Sequence, residues 1–212
     1  MYRTYYVSVF ILVVFYSFLI TCRIYDHPEI TPVWSGRIVC NIKEYENVSG
    51  SCCWVGRTED GRHVLLTASH VIPPDTRAIT VVHGDAHYKA RLVARSLKPD
   101  LALLTVRGLD TRGLRKSIPR QGRVSRGESL WCFGCPEACN EALIIGRVCW
   151  ADWWDEEWWV AGQLPISGGN SGSPVVDNRG RLVGIVVSVS GNLTWIVPSE
   201  DVQAFLNAYG VK

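Results

Sequence analysis

Gly169-Asn170-Ser171-Gly172-Ser173-Pro174 sets one hydroxyl among glycines, and upstream of it stand Thr67-Ala68-Ser69-His70 and Asp100-Leu101-Ala102-Leu103-Leu104. A serine hydroxyl is a weak nucleophile until an imidazole takes its proton, and that imidazole needs a carboxylate to hold its tautomer. The three blocks supply those groups: Ser171 to attack, His70 as base and then acid, Asp100 to orient His70. Gly168, Gly169 and Gly172 let the chain turn tightly enough for successive N–H groups to converge on one spot. An oxyanion hole is therefore predicted over Gly169, Asn170 and Ser171, with the amides of Gly169 and Ser171 as donors. This chemistry calls for no metal and no cofactor.

Chain order excludes one alternative. All five histidines (His27, His63, His70, His83, His87) precede Ser171, whereas an α/β-hydrolase places its histidine last. The second residue after the nucleophile is Ser173, where that fold's elbow wants glycine. Asp75 and Asp85 compete with Asp100 for the carboxylate role, but both sit in turn contexts. Asp100 opens an apolar strand.

The 212 residues carry 19 Gly, 10 Pro and a net charge of +2, with short Val/Ile/Leu/Thr runs between turn signals. Such runs, at Gly36 to Ile42, His63 to Thr67, Ala78 to His83, Ala90 to Ala94, Leu101 to Val106 and Leu182 to Val189, predict an all-β sandwich or barrel. The basic stretch Arg107 to Gly127 is read as a solvated connection, because no aromatic residue is interleaved for base stacking. With near-balanced overall charge, no nucleic-acid partner is expected.

Together the blocks resemble the trypsin-like (chymotrypsin-fold) serine protease superfamily, most like its HtrA/DegP branch without a PDZ domain. Further landmarks are Ser51 through Val55 with Asp60-Gly61, Gly127-Glu128 leading to Phe133-Gly134-Cys135-Pro136, Gly146-Arg147-Val148, Leu182 to Ile185 and Trp195 to Ser199. The resemblance implies two six-stranded Greek-key barrels with the site between them: a first barrel over about 34–106, a connection over 107–127, a second barrel over about 128–199 and a C-terminal helix over 200–210. It implies a serine endopeptidase with a protein or peptide substrate, the alternatives being a viral or phage polyprotein-processing protease of the same fold and a catalytically inactive protease-like binding module. A strand of Val187, Ser188, Val189 and Ser190 would pair with that substrate, and Pro165, Ile166 and Trp195 would wall the primary pocket. Those walls predict small or medium aliphatic residues at the cleaved position. Asn170 stands where zymogen-activated relatives carry an aspartate, so activation by a freed N-terminus is not expected. Val71 replaces a disulfide cysteine, and Pro165 replaces an acidic specificity residue. After Glu200 to Tyr209 no room remains before Lys212 for a PDZ module, so regulation by one is not expected. The oligomeric state stays open.

Tyr5 to Cys22 is almost wholly apolar, between Arg3 and Arg23. A helix of that length rises about 27 Å, close to the ~30 Å hydrocarbon thickness. Residues 1–22 are expected to be a single-pass anchor, followed by a linker at 23–33 and by the protease domain at 34–212 on the extracytoplasmic side. A cleaved, secreted form and a lipid anchor at Cys22 are the alternatives. Eight cysteines fit an oxidising compartment. Disulfides are ranked ahead of a structural zinc on Cys132, Cys135, Cys139 and Cys149, with Cys135 and Cys139 flanking one loop and Cys132 and Cys149 on adjacent strands. Trp150, Trp153, Trp154, Trp158 and Trp159 crowd an acidic run, which predicts either an aromatic lip beside the cleft or a hairpin with tryptophans facing across a turn.

Overall fold

The computed structural model describes residues 32–43, 46–139, 141–154 and 157–211. The expected anchor, Cys22 and most of the expected linker lie outside them. Among the described residues no helix is long and apolar enough to cross a membrane.

Twelve strands close two antiparallel barrels. The first uses β1 (Ser35–Lys43), β2 (Glu46–Arg57), β3 (His63–Thr67), β4 (Ala78–His83), β5 (Ala86–Leu97) and β6 (Asp100–Val106), in the order β1-β2-β3-β6-β5-β4. The second uses β7 (Ser129–Gly134), β8 (Ala142–Trp154), β9 (Glu157–Gln163), β10 (Pro174–Val176), β11 (Leu182–Ser190) and β12 (Leu193–Pro198), in the order β7-β8-β9-β12-β11-β10. The all-β, two-barrel expectation is met. Closure leaves no long apolar edge to be covered. The apolar run Leu101 to Val106 is buried throughout, because β6 lies between β3 and β5 with its side chains facing either the barrel interior or packed neighbours. The second core gathers Leu130, Val148, Val160, Leu164, Val175, Val183 and Ile196.

Helix α1 (Ser199–Ala208) closes the chain against β11 and β12. Val202, Phe205 and Leu206, at helical spacing, turn inward and are nearly fully buried. Glu200 and Asp201 occupy its first turn, where carboxylates complement the helix dipole.

The connection between barrels is largely solvated, as read, with Arg107, Arg112, Arg115, Arg123 and Arg126 exposed, but it is not a free linker. Trp34 N–H donates to Arg115 O, Arg120 N–H donates to Leu182 O and Leu182 N–H donates to Ile118 O, so the segment is stitched to both barrels. Arg120 is drawn in by carboxylates: its side chain, 11% exposed, pairs with Glu128 at 2.5 Å and approaches Asp177 at 3.7 Å. Asp177, fully buried, accepts from Arg179 N, Arg181 N and Arg181 Nε at 2.9–3.0 Å. Burial alone would raise its pKa, but the bonds from Arg181 and Arg179 outweigh it and hold the carboxyl below its usual value. The stabilisation is thus present above the unfolded-state pKa and is lost as pH falls through the lower folded-state value. Asp177→Asn is expected to cost about 2–4 kcal/mol, because it removes the charge that holds Arg181 and Arg120 in place. Thermal melts should show a drop of roughly 5–15 °C at pH 7 that shrinks below pH 4.

The cysteine expectation is corrected. All seven described cysteines are free thiols. Cys132 and Cys149 do lie on adjacent strands, but Ile144 is the residue opposite Cys132. Cys149 is five residues farther along β8, roughly 16 Å at the strand rise and far beyond disulfide reach. Its Sγ instead donates to Ala161 O. Cys135 and Cys139 do flank one turn, Pro136–Ala138, with no disulfide between them. Burial pushes the Cys132 thiol up to about 12 and that of Cys135 up to about 11.

Candidate active site between the barrels

Register explains how His70 meets Asp100. Thr67, the last residue of β3, pairs with Ala102 of β6. Residues just beyond Thr67 and just before Ala102 therefore share one rim of the first barrel. A single 3-10 turn, Ser69–Val71, leaves β3 there. His70 Nδ1 lies 2.5 Å from Asp100 Oδ2, and His70 N–H donates to Asp100 Oδ1 at 3.0 Å. The carboxylate thus grips both the ring and the backbone of the same residue. It is partly exposed, at 27%, rather than buried.

Ser171 comes from the second barrel, and backbone contacts dock its turn onto the first. Ser51 N–H donates to Ser171 O at 2.7 Å. Gly172 lies so close to Ser51 O, Thr67 Oγ1 and Ala68 N that no Cβ fits there, and its φ is +89°. The nucleophile-bearing turn is therefore backed directly onto the end of β3 that leads into His70. On its other flank Gly172 N–H donates to Val186 O, and Val186 N–H donates to Ser173 O.

The oxyanion turn is held from beneath. Gly169, at φ +93°, packs against Cys135 O with no space for a side chain. Its carbonyl accepts from Ser51 Oγ at 2.7 Å, and that same hydroxyl accepts from Cys135 N–H at 3.0 Å. Glu137 N–H donates to Gly168 O. Asn170 is fully buried, with its N–H and Nδ2 both directed to Ser167 O. Its amide is thereby consumed inside the turn, leaving those of Gly169 and Ser171, which meet no acceptor among the described residues. N–H groups without acceptors are the kind of donors that a negative oxygen takes up.

Substrate-wall expectations divide. β10 pairs with β11 only as far as Ile185, so from Val187 onward that edge of β11 has no strand partner among the described residues. Ser188, Val189 and Ser190 are exposed along it. Trp195 faces the other way from the expected pocket: it packs edge-on to Trp150 and Trp159, at 5.9 and 6.0 Å between ring centroids. Its neighbour Thr194, on the opposite face of β12, donates its hydroxyl to Leu164 O beside Pro165. Ile166 packs partly into the second core.

Three contributors have no role legible in the sequence, although Ser51 and Thr67 lie within its family blocks. Ser51 ties the oxyanion turn to the first barrel. Thr67 Oγ1 donates to Ser51 O at 2.7 Å and fixes that strand. Arg95 holds the His70 turn through Ser69 Oγ and Ser69 O, both at 3.3 Å.

Comparison with known proteins follows the same lines. A model of the trypsin-like peptidase domain matches residues 50–185. Mouse serine protease HTRA4 is 25% identical over 161 residues, covering 72% of this chain and 33% of that protein. Protease Do-like 2, chloroplastic, of Arabidopsis thaliana is 26% identical over 175 residues, covering 76% and 28%. The chain thus spans about a third of the length of these relatives. Among solved structures, the active form of the Rv3671c protease from M. tuberculosis superposes with a TM-score of 0.75 at 18% identity, covering 89% of this chain and 87% of that one. The serine endoprotease from Yersinia pestis gives 0.68 at 20%, covering 84% and 63%.

Proposed function

The chain belongs to the trypsin-like peptidase domain family, and on that premise we propose that it is a serine endopeptidase cutting extended polypeptide segments through an acyl-enzyme. In this reading Ser171 Oγ attacks the scissile carbonyl while His70 Nε2 takes its proton. Asp100 keeps Nδ1 protonated and stabilises the imidazolium. The amides of Gly169 and Ser171 receive the charge that develops on the carbonyl oxygen. The tetrahedral intermediate collapses as His70 returns the proton to the leaving amine, and water repeats the sequence to release the acid. The unpartnered edge at Ser188 to Ser190 would take the substrate as an added strand. Around Leu164 to Ile166 and Thr194 the primary pocket would favour small or medium aliphatic side chains.

The observation that carries this reading is the docking of the Ser171 turn onto Ser51, Thr67 and Ala68, with two acceptor-free amides beside it. A fluorophosphonate probe on the full chain tests it. The expected result is a covalent adduct on Ser171 that is absent in Ser171→Ala. An intact wild-type protein that takes no label would refute the reading.

Placement at a membrane is part of the proposal. Tyr5 to Cys22 has the length and apolarity of a single span, with Arg3 favouring an inside N-terminus and a protease domain on the far side. Since the seven described thiols are free, that placement rests on the apolar segment alone.

A further inference from the structure

The end of the first barrel away from Asp100 carries a pocket of about 400 Å³ that the reaction described above does not use. Strand register builds it. Arg91 of β5 stands opposite Thr105 of β6, and Val106 stands opposite His63, so Arg62 just before β3 and Arg107 just after β6 come to the same end. Lys89, two residues before Arg91, shares its face of β5. Arg62, Lys89, Arg91 and Arg107 therefore line one concavity, together with Tyr88 and Thr105. Since β6 runs from Asp100 to Val106, the pocket lies roughly 20 Å from the rim that holds His70 and Asp100.

No described residue of the lining is a carboxylate. Asp60 stands nearby, where it accepts from Arg62 Nε at 2.7 Å and from Thr58 Oγ1 at 2.5 Å, and Arg107 adds to the pull on it. One negative charge is thus shared between two of the four cations. Lys89 and Arg91 are exposed, and their side chains form no hydrogen bond or ion pair among the described residues. Like charges gathered on one sheet face repel each other, and an anion seated among them relieves that repulsion.

We propose that this pocket binds a phosphate group, presented by an anionic lipid or by a soluble phosphate. Three of the four cations are arginines, whose planar donor forks match phosphate oxygens bidentately. A phosphate group carries up to two charges and three strong acceptor oxygens, so it engages more of these donors than a carboxylate does. Lipid is one of the two sources because of where the described chain enters the barrel. Trp34 Nε1 donates to Asp110 O at 2.9 Å, and Asp110 N–H donates to Tyr88 Oη at 3.3 Å. The entering strand is thereby tied to the pocket wall. Phosphate binding at this end needs nothing of Ser171.

Calorimetric titration of the full-chain Ser171→Ala protein with pyrophosphate, in neutral detergent micelles, tests the proposal. One site per chain is expected, weakened about tenfold in Arg91→Ala and in Lys89→Ala, as loss of a charge-assisted hydrogen bond predicts. Both residues are exposed on β5, so neither variant threatens the fold. Arg126→Ala removes an exposed cation outside the pocket and should leave the affinity within about twofold. Acylation of Lys89, read by mass spectrometry, separates the two sources. Slowing of about fivefold in phosphatidylcholine vesicles that carry phosphatidylglycerol, relative to phosphatidylcholine alone and absent from Arg91→Ala, assigns the lipid headgroup. Slowing by pyrophosphate alone assigns a soluble phosphate. No saturable pyrophosphate binding, an affinity unmoved in Arg91→Ala, an equal loss in Arg126→Ala, or tighter binding of oligoglutamate than of pyrophosphate would overturn the proposal. Wild type that takes no fluorophosphonate would refute the endopeptidase and leave these titrations standing, whereas a labelled enzyme without pyrophosphate binding sinks the pocket alone.

Discussion

Asp100→Asn is expected to lower kcat/KM by about 10⁴-fold while leaving the fold intact. The effect follows from which oxygen is replaced. Oδ1 accepts from the backbone N–H of His70 at 3.0 Å, and Oδ2 faces His70 Nδ1 at 2.5 Å. An asparagine must keep its oxygen toward the backbone N–H, since an NH2 group there would set donor against donor. Its NH2 then faces Nδ1, which is forced to accept, and the ring proton moves to Nε2. A protonated Nε2 cannot take the proton of Ser171, so the imidazole is present, correctly placed and in the wrong tautomer. Steady-state kinetics on a peptide substrate checks the loss, and circular dichroism and thermal melts check that the barrels are unchanged. A variant within tenfold of wild type would show that Asp100 is not the orienting carboxylate.

The same pair shows what was legible in the sequence. His70, Asp100 and Ser171 each sit in a short block whose residue types suggest the proposed role, and β-strand register brings the ends of β3 and β6, with His70 and Asp100, to one rim. Ser51 and Arg95 carry no such announcement. Ser51 reaches Gly169 across 118 residues and Cys135 across 84, a juxtaposition that exists only once two barrels have closed and docked. Trp195 failed for a different reason. Side chains on a strand alternate, so a shift of one residue moves a group to the other face; Thr194 holds the inward place and Trp195 the outward one. Arg120 misled because a run of cations reads as solvated until Asp177 and Glu128, 57 and 8 residues away along the chain, are folded against it. Cysteine number pointed to disulfides, yet number says nothing of register, and register keeps Cys132 and Cys149 apart.

Gly172→Ala is expected to remove both stability and activity, and it separates nucleophile chemistry from the fit of the two barrels. The residue follows Ser171 but takes no part in proton transfer. A methyl group at this position would run into Ser51 O and Thr67 Oγ1 and come within 3.1 Å of Ala68 N, at a φ of +89°. The backbone conformation alone costs an alanine about 1–2 kcal/mol. Overpacking against backbone that cannot rotate away adds about 1–3 kcal/mol. A combined loss of about 2–5 kcal/mol should lower the melting temperature by roughly 5–20 °C in a domain of this size. What survives should be poorly active, because relief of the clash must push the Ser171 turn away from the end of β3 and so from His70. Thr67→Ala in the same chain offers a discriminating control: it removes Thr67 Oγ1 but leaves Ser51 O, which belongs to the main chain. The double variant is therefore expected to remain destabilised and to regain little fluorophosphonate labelling. Near-wild-type melting and labelling in Gly172→Ala would mean that the turn is not pressed onto the first barrel as described, and the proposed pairing of Ser171 with His70 would lose its support.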